Sequence, residues 1–173
     1  MTDRLRTRFV VIGTGVAGLH AAWRASAHGD VTILTKASLF DSATAYAQGG
    51  IAAALGAGDS PQLHRQDTLA AGAALCDSAA VEVLVAEGPQ RVRELASIGA
   101  RFDTDPRGKL SLGKEAAHSR HRIVHAQGDQ TGAEVARTLI ERVKSTPNIT
   151  ILERARALDL IVAGTRCIGV RAS

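Results

Sequence analysis

Residues 10–19 of this 173-residue chain read Val-Val-Ile-Gly-Thr-Gly-Val-Ala-Gly-Leu. A β-branched run enters a Gly-x-Gly-x-x-Gly turn, and an Ala-rich helix leaves it. Such a turn brings bare backbone against a pyrophosphate and aims a helix N-terminus at it. Gly13 allows the tight turn, Gly15 lets a phosphate approach, and Gly18 lets the helix pack close on the strand. A glycine pattern alone is weak. With a readable strand before it and a readable helix after it, the pattern predicts a dinucleotide at the first βα turn.

The periodicity around the turn agrees. Phe9–Ile12 reads as a strand. Residues 16–28 read as a helix with Leu19, Ala22, Trp23 and Ala27 on one face, stopped by Gly29-Asp30. Residues 31–35 read as a second strand, which completes a βαβ unit. Residues 37–45 form a polar loop, and the Gly49-Gly50 pair after it predicts backbone packed against a flat surface. Ser60-Pro61 starts a helix that runs to Gly72. Asp77 starts another, broken and restarted at Gly88-Pro89 and stopped by Gly99. Residues 102–112 read as a short hairpin around Asp105-Pro106-Arg107-Gly108, and 122–125 as a strand. Thr131–Lys144 reads as a helix with Val135, Leu139, Ile140 and Val143 on one face. Residues 149–153, 157–162 and 167–171 read as strands, the last two joined at Gly164-Thr165.

Composition narrows the partners. One domain is the default at this length, and with aromatics at 3% its core must be aliphatic and Ala-rich. The net charge of +4 comes mainly from scattered arginines, which read as a solvated surface or as a site for phosphates or a dicarboxylate. No basic stripe with interleaved aromatics predicts nucleic-acid binding. Cys76 and Cys167 show no Cys-x-x-Cys spacing and read as buried, reduced thiols of a cytoplasmic protein. No apolar run is long enough to predict a membrane span. His118, His121 and His125 gather with Arg120 and Arg122, but no cysteine or carboxylate is spaced to complete a metal site. His20, His28 and His64 read as surface or helix-packing residues. The chain stops at Ser173 inside a strand pattern, so an incomplete domain is expected.

The second strand ends Leu34-Thr35-Lys36, without the carboxylate that usually holds a ribose in nicotinamide dehydrogenases. Lys36 could meet a ribose phosphate, or turn its backbone and stem to an adenosine; spacing leaves both open.

The run Ser42-Ala43-Thr44-Ala45-Tyr46-Ala47-Gln48-Gly49-Gly50-Ile51 resembles the isoalloxazine-side loop of the succinate dehydrogenase and fumarate reductase flavoproteins. The stretch from His118 to Gly132, with Arg122-Ile123-Val124-His125-Ala126 at its centre, resembles that family's second signature. Thr35-Lys36, the 46–50 run, and Asp67-Thr68-Leu69 followed by Ala71-Gly72-Ala73 resemble its soluble, L-aspartate-oxidising branch. The resemblance extends over residues 9–171.

It implies an α/β fold: an FAD-binding, Rossmann-like βαβ domain with a small added β-meander. Residues 1–173 would be its N-terminal part, with capping and C-terminal helical domains outside them. By the same resemblance Gly13, Thr14, Gly15, Val16 and Gly18 cradle the pyrophosphate, and Lys36 sits at the adenosine end. Ala43, Thr44, Ala45, Tyr46, Ala47, Gln48, Gly49 and Gly50 run along the ribityl chain and flavin, and Ala157 touches adenine through its backbone. Membrane-bound members link FAD through a histidine where this chain has Ala43, so non-covalent FAD is implied. Glu115 matches the glutamate that orients the substrate amino group. The stretch from His118 is implied to pack near the flavin and to position the helix from Thr131.

The implied reaction takes hydride from the α-carbon of L-aspartate and gives iminoaspartate, which feeds quinolinate and NAD biosynthesis. Oxygen or fumarate re-oxidises the flavin, and channelling to quinolinate synthase is a further expectation. The alternatives are a soluble fumarate reductase or succinate dehydrogenase-type flavoprotein, and a non-catalytic FAD-binding fragment. The family's catalytic arginine and most of its substrate-carboxylate ligands belong to segments outside this sequence.

Overall fold

Val31, Thr32, Ile33 and Leu34 are all buried. A strand reaches that state with a neighbour on each side and both faces covered. The computed structural model, which describes residues 4–173, supplies both neighbours. In chain order the elements are β1 (Phe9–Ile12), α1 (Val16–Ser26), β2 (Val31–Leu34), β3 (Ile51–Ala52), α2 (Pro61–Ala71) and α3 (Ser78–Ser97). They continue as β4 (Leu112–Gly113), β5 (Ile123–Val124), α4 (Thr131–Lys144), β6 (Ile149–Leu152), β7 (Ala157–Ala163) and β8 (Arg166–Ala172). The chain forms two compact units, Met1–Tyr46 with Val135–Ser173, and Ala47–Glu134, where length alone suggested one.

In the first unit β2 lies between β1 and β6 in a parallel sheet, with Phe9 opposite Val31 and Val31 opposite Ile149. The two outer strands alternate between half-buried and exposed residues, as edge strands do. Helix α1 covers β1 and β2 through Leu19 and Ala22, both without solvent exposure. It ends at Ser26, so Ala27 adds nothing to its buried face. β7 and β8 pair as an antiparallel hairpin turned at Gly164, whose φ is +60°. Its surfaces stay open, and Cys167 is therefore exposed rather than buried; Cys76 is half-buried, and both thiols are free.

In the second unit α2 packs on α3, and β5 sits between β3 and β4 in an antiparallel sheet of two-residue strands. Helix α2 starts as expected: the Ser60 hydroxyl accepts from the Leu63 amide at 3.2 Å and Pro61 fills the first turn. The Asp77 carboxylate caps α3 by accepting from Ala79 and Ala80. The expected break at Gly88-Pro89 is absent, and α3 runs through it. Gly88 has no Cβ to clash with the proline ring, and burial of Pro89 offsets the lost hydrogen bond. The expected short hairpin turns at 105–108: Thr104 bridges Leu110, and the Asp105 and Ser111 amides donate to the Lys109 and Asp103 carbonyls, while Leu112–Gly113 pairs with β5.

Helix α4 has the predicted bounds, and Val135, Leu139, Ile140 and Val143 are all buried. Among the described residues no helix is long and apolar enough to cross a membrane.

Candidate functional site

A cavity of about 460 Å³ opens in the first unit, at the carboxyl ends of three parallel strands. Gly13 and Thr14 reach it from β1, Thr35, Lys36, Asp41, Ser42, Ala43 and Tyr46 from the segment after β2, and Ala155, Arg156 and Ala157 from the segment after β6. This is where open α/β sheets hold their ligands, because the loops there diverge and leave a crevice.

Hydrogen bonds fix the walls. The Gly13 amide donates to the Leu34 carbonyl at 2.8 Å, and the Ala155 amide to the Thr35 carbonyl at 2.9 Å. The Glu153 carboxylate accepts from the Leu39 amide at 2.6 Å and ties the loop after β2 to the end of β6. Thr14 and Thr35, both buried, join their hydroxyls at 3.3 Å.

The start of α1 is left open. Gly15 offers no side-chain cap, and the first turn holds no acidic residue. The Val16 amide donates to the Thr44 hydroxyl at 2.9 Å. A Cβ on Gly15 would meet only that hydroxyl, at 3.6 Å. A Cβ on Gly18, by contrast, would overlap the Gly13 carbonyl, so the glycine there sets how closely α1 approaches β1. Gly13 itself has a φ of +102°, open to glycine at little cost. A helix terminus with no N-cap side chain on Gly15 and no acid in its first turn, beside Lys36 and Arg156, suits an anionic ligand. These features fit the adenosine and pyrophosphate portion of a dinucleotide.

Of the sequence-predicted residues, Gly13, Thr14, Lys36, Ala43, Tyr46 and Ala157 line this cavity. Gly15, Val16 and Thr44 meet at the α1 terminus, and Gly18 lies behind it. Ala45 closes a turn by donating from its amide to the Ser42 carbonyl at 3.0 Å. Sequence reading did not assign Ile12, Leu34, Thr35, Asp41, Ser42, Ala155 and Arg156 as lining residues. Ser42 opens the run that resembles the flavin-side loop and Asp41 precedes it, so the N-terminal margin of that run held the signal; the role of Arg156 depends on β6 lying beside β2.

Ala47, Gln48, Gly49, Gly50 and Glu115 belong to the second unit. The Ala47 carbonyl accepts from the Gly132 amide at 3.2 Å. Of the glycine pair, Gly50 lies against β5, where a Cβ would overlap Ile123 and come within 2.7 Å of the Val124 carbonyl, whereas a Cβ on Gly49 would meet nothing within 4 Å. Glu115 stands on the 114–122 loop between β4 and β5, half-exposed, and its Oε1 accepts from His125 Nε2 at 3.1 Å.

That loop is anchored from beneath by Arg122, which has no solvent exposure. Its Nε and Nη2 donate to the two oxygens of Asp59 at 2.9 and 2.8 Å, and its Nη1 donates to Asp67 at 2.7 Å. Asp67 also accepts from the Ser119 amide and hydroxyl, each at 2.8 Å. The Ser119 amide, with help from the Ser119 hydroxyl and Arg122, holds the Asp67 carboxyl down at about 2, against burial. Burial opposes the charge on Arg122, but hydrogen bonds to Asp59 and Asp67 prevail and raise its pKa. His64 is buried beside this cluster, and burial followed by the nearby Arg122 charge lowers its pKa. Among the described residues no group of three or more His, Cys, Asp or Glu side chains is arranged to hold a metal ion.

A family model described as an FAD binding domain matches residues 8–173. An L-aspartate oxidase of Streptomyces coelicolor is 52% identical over 163 residues, covering 93% of this chain and 28% of the relative. A chloroplastic L-aspartate oxidase of rice, Oryza sativa, is 46% identical over 166 residues, or 94% of this chain and 26% of the relative. The chain thus spans between a quarter and a third of the length of these relatives. Among solved structures, Mycobacterium smegmatis Sdh1 in complex with UQ1 superposes with a TM-score of 0.93 at 32% identity, over 99% of this chain and 31% of that one. FrdA of the E. coli quinol fumarate reductase gives 0.91 at 27% identity, over 97% of this chain and 29% of that one.

Proposed function

The chain belongs to the FAD binding domain family, and from that footing we propose that it serves the oxidation of L-aspartate to iminoaspartate, with FAD held non-covalently. The observation that carries the reading is the cavity at three strand ends, lined by Gly13, Thr14, Lys36 and Ala43 beside a helix terminus that starts at Gly15 with no acid in its first turn. When bound, FAD supplies the hydride-accepting chemistry; the protein supplies binding, orientation and electrostatics.

In this reading Gly13, Thr14, Gly15, Val16 and Gly18 cradle the pyrophosphate at the start of α1, Lys36 sits at the adenosine end, and Ala157 meets the adenine. Ala43, Thr44, Ala45, Tyr46, Ala47, Gln48, Gly49 and Gly50 follow the ribityl chain and flavin. Ala43 lines the cavity wall and has no nucleophile to form a covalent link. Glu115 receives the substrate ammonium through a charge-assisted hydrogen bond. Succinate and fumarate carry no such group, so Glu115 favours the amino acid over the plain dicarboxylate. The L-aspartate oxidases at 46–52% identity support this substrate over those of the more distant dehydrogenase and reductase structures.

Oxygen or fumarate as acceptor, a cytoplasmic location and delivery of product to quinolinate synthase complete the proposal. Two free cysteines suit a reducing compartment.

The test is purification of the full-length protein, acid precipitation, and turnover with L-aspartate and with succinate. Yellow chromophore in the supernatant and turnover of L-aspartate alone are expected. Flavin that stays with the precipitate, or preference for succinate, refutes the reading.

A further inference from the structure

The Glu115 carboxylate is exposed on a loop, yet one of its oxygens is held by a residue from the adjoining strand end, His125. An ionised carboxylate only accepts, so the His125 ring carries its proton on Nε2. The ring's place is built by two glycines from separate strand segments. A Cβ on Gly50 would lie 2.9 Å from His125 Nε2, and a Cβ on Gly113 would lie 2.8 Å from its Cε1. Both distances are shorter than a side chain tolerates, so a larger residue at either position crowds the imidazole, at Gly50 together with Ile123 and the Val124 carbonyl. Backbone pairing fixes the surroundings of Gly113, which is registered opposite Ile123 and accepts at its carbonyl from the Arg122 amide at 3.0 Å. The far half of the loop is tied down by Ser119 and Arg122 on Asp67. Ala117, between the two attachments, has a φ of +68°, a conformation that a side chain adopts only when its surroundings hold it.

We propose that His125 is a positioning residue that fixes the Glu115 carboxylate through Oε1 and leaves Oε2 for the substrate ammonium. The proposal rests on the reading of Glu115 as the ammonium ligand. A half-exposed glutamate on a loop samples several rotamers, and each substrate molecule would have to order it. A carboxylate already held on one oxygen has lost that freedom beforehand, so the benefit appears in substrate binding and much less in the chemical step. His125 touches neither substrate nor cofactor in this scheme.

The experiment is a double-mutant cycle in the full-length, FAD-loaded protein, with L-aspartate oxidation and fumarate reduction measured side by side. His125→Ala is expected to raise KM for L-aspartate about three- to tenfold, the range of one hydrogen bond, with a smaller change in kcat and in KM for fumarate. His125→Gln, which keeps an N–H donor, is expected to fall between wild type and alanine. In a Glu115→Gln background, His125→Ala should add less than about twofold, because the partner is already altered. Flavin absorbance of each variant reports that the fold is intact. Should His125→Ala lose its flavin, the cycle is read from His125→Gln with Glu115→Gln instead.

Fully multiplicative effects in the double variant, or equal loss on both substrates, overturn the proposal and leave His125 a packing residue. The two layers separate cleanly. If Glu115→Gln leaves L-aspartate turnover unchanged, the ammonium reading fails and the inference falls with it. If Glu115→Gln weakens turnover while both His125 variants match wild type, the inference alone fails.

Discussion

Replacement of Arg122 by methionine should do more damage than any surface arginine change, and the reason is the two carboxylates it leaves behind. The guanidinium makes three charge-assisted hydrogen bonds at 2.7–2.9 Å, with no solvent exposure of its own. Asp59 is 1% exposed and Asp67 16%, so water cannot take over. Breaking a buried pair by removing one partner costs about 3–5 kcal/mol. At about 1.4 kcal/mol per tenfold, that is roughly a hundredfold or more in the local opening equilibrium. Hydrogen–deuterium exchange over residues 114–125 of the full-length protein reads that equilibrium where it matters, on the loop that Arg122 and Ser119 tie to Asp67. Arg122→Lys should lose part of the protection, because one ammonium cannot replace a planar fork aimed at two acids. Adding Asp59→Asn and Asp67→Asn to Arg122→Met should restore part of it by removing the orphaned charges. The methionine penalty should also shrink in acid, since Asp67 without the Arg122 hydrogen bond takes up a proton more readily. An Arg122→Met variant that exchanges like wild type, or one that the two asparagines make worse, would refute the argument that this charge cluster holds the loop.

Gly15→Leu should abolish flavin retention while leaving thermal stability close to wild type, because the α1 terminus has room for a side chain but the ligand does not; unchanged flavin content refutes the site. Gly18→Ala should instead lower stability itself, since its Cβ overlaps the Gly13 carbonyl, and a variant as stable as wild type would contradict the α1–β1 packing. Glu115→Gln should weaken L-aspartate turnover roughly ten- to a hundredfold, the loss of one charged hydrogen bond, and fumarate reduction far less; equal losses would reduce Glu115 to a loop residue. Asp67, lowered to about 2 from 3.8, contributes stability that is fully present above the ordinary carboxylate range. That contribution disappears as pH falls from about 4 toward 2, and the lowered His64 makes stability start to fall already below 6.5. Acid denaturation curves of Asp67→Asn and His64→Gln, each losing its own segment of that decline, are the check.

The legible parts of this fold are those whose cause is local. The β1–α1–β2 unit and Thr131–Lys144 follow from side-chain period and from glycine placement within a dozen residues, and the structure keeps them almost to the residue. The α2 and α3 starts follow from one capping side chain each. The Gly88-Pro89 reading failed because propensity describes an isolated helix, while burial of Pro89 in α3 is a tertiary fact. The two-residue strands could not be found by period at all. β3 exists because Ile51 meets Val124, more than seventy residues away, and two residues carry no periodicity.

Arg122 shows the same limit at a functional loop. In sequence it sits among His118, Arg120, His121 and His125, a cluster that reads as a metal or anion site with no cysteine or carboxylate spaced to complete a metal. The structure turns it inward onto acids 63 and 55 positions earlier, and the cluster divides by what each side chain meets. Arg122 holds the loop, His118 borders Arg122 at 3.3 Å, and His125 meets Glu115. The difference lies in Asp59 and Asp67, which flank the first turns of α2 and gave no sign of a partner. Asp59 donates its backbone amide to Gly56 and immediately precedes the Ser60 cap, so the start of α2 fixes it. Asp67 lies two turns further along the same helix. The capping signal that the sequence displays openly therefore also sets the spacing of two acids, and that spacing is what a buried guanidinium fork can bridge. Shifting the start of α2, as Ser60→Ala with Pro61→Ala would favour, should loosen the Glu115 loop without touching any residue on it.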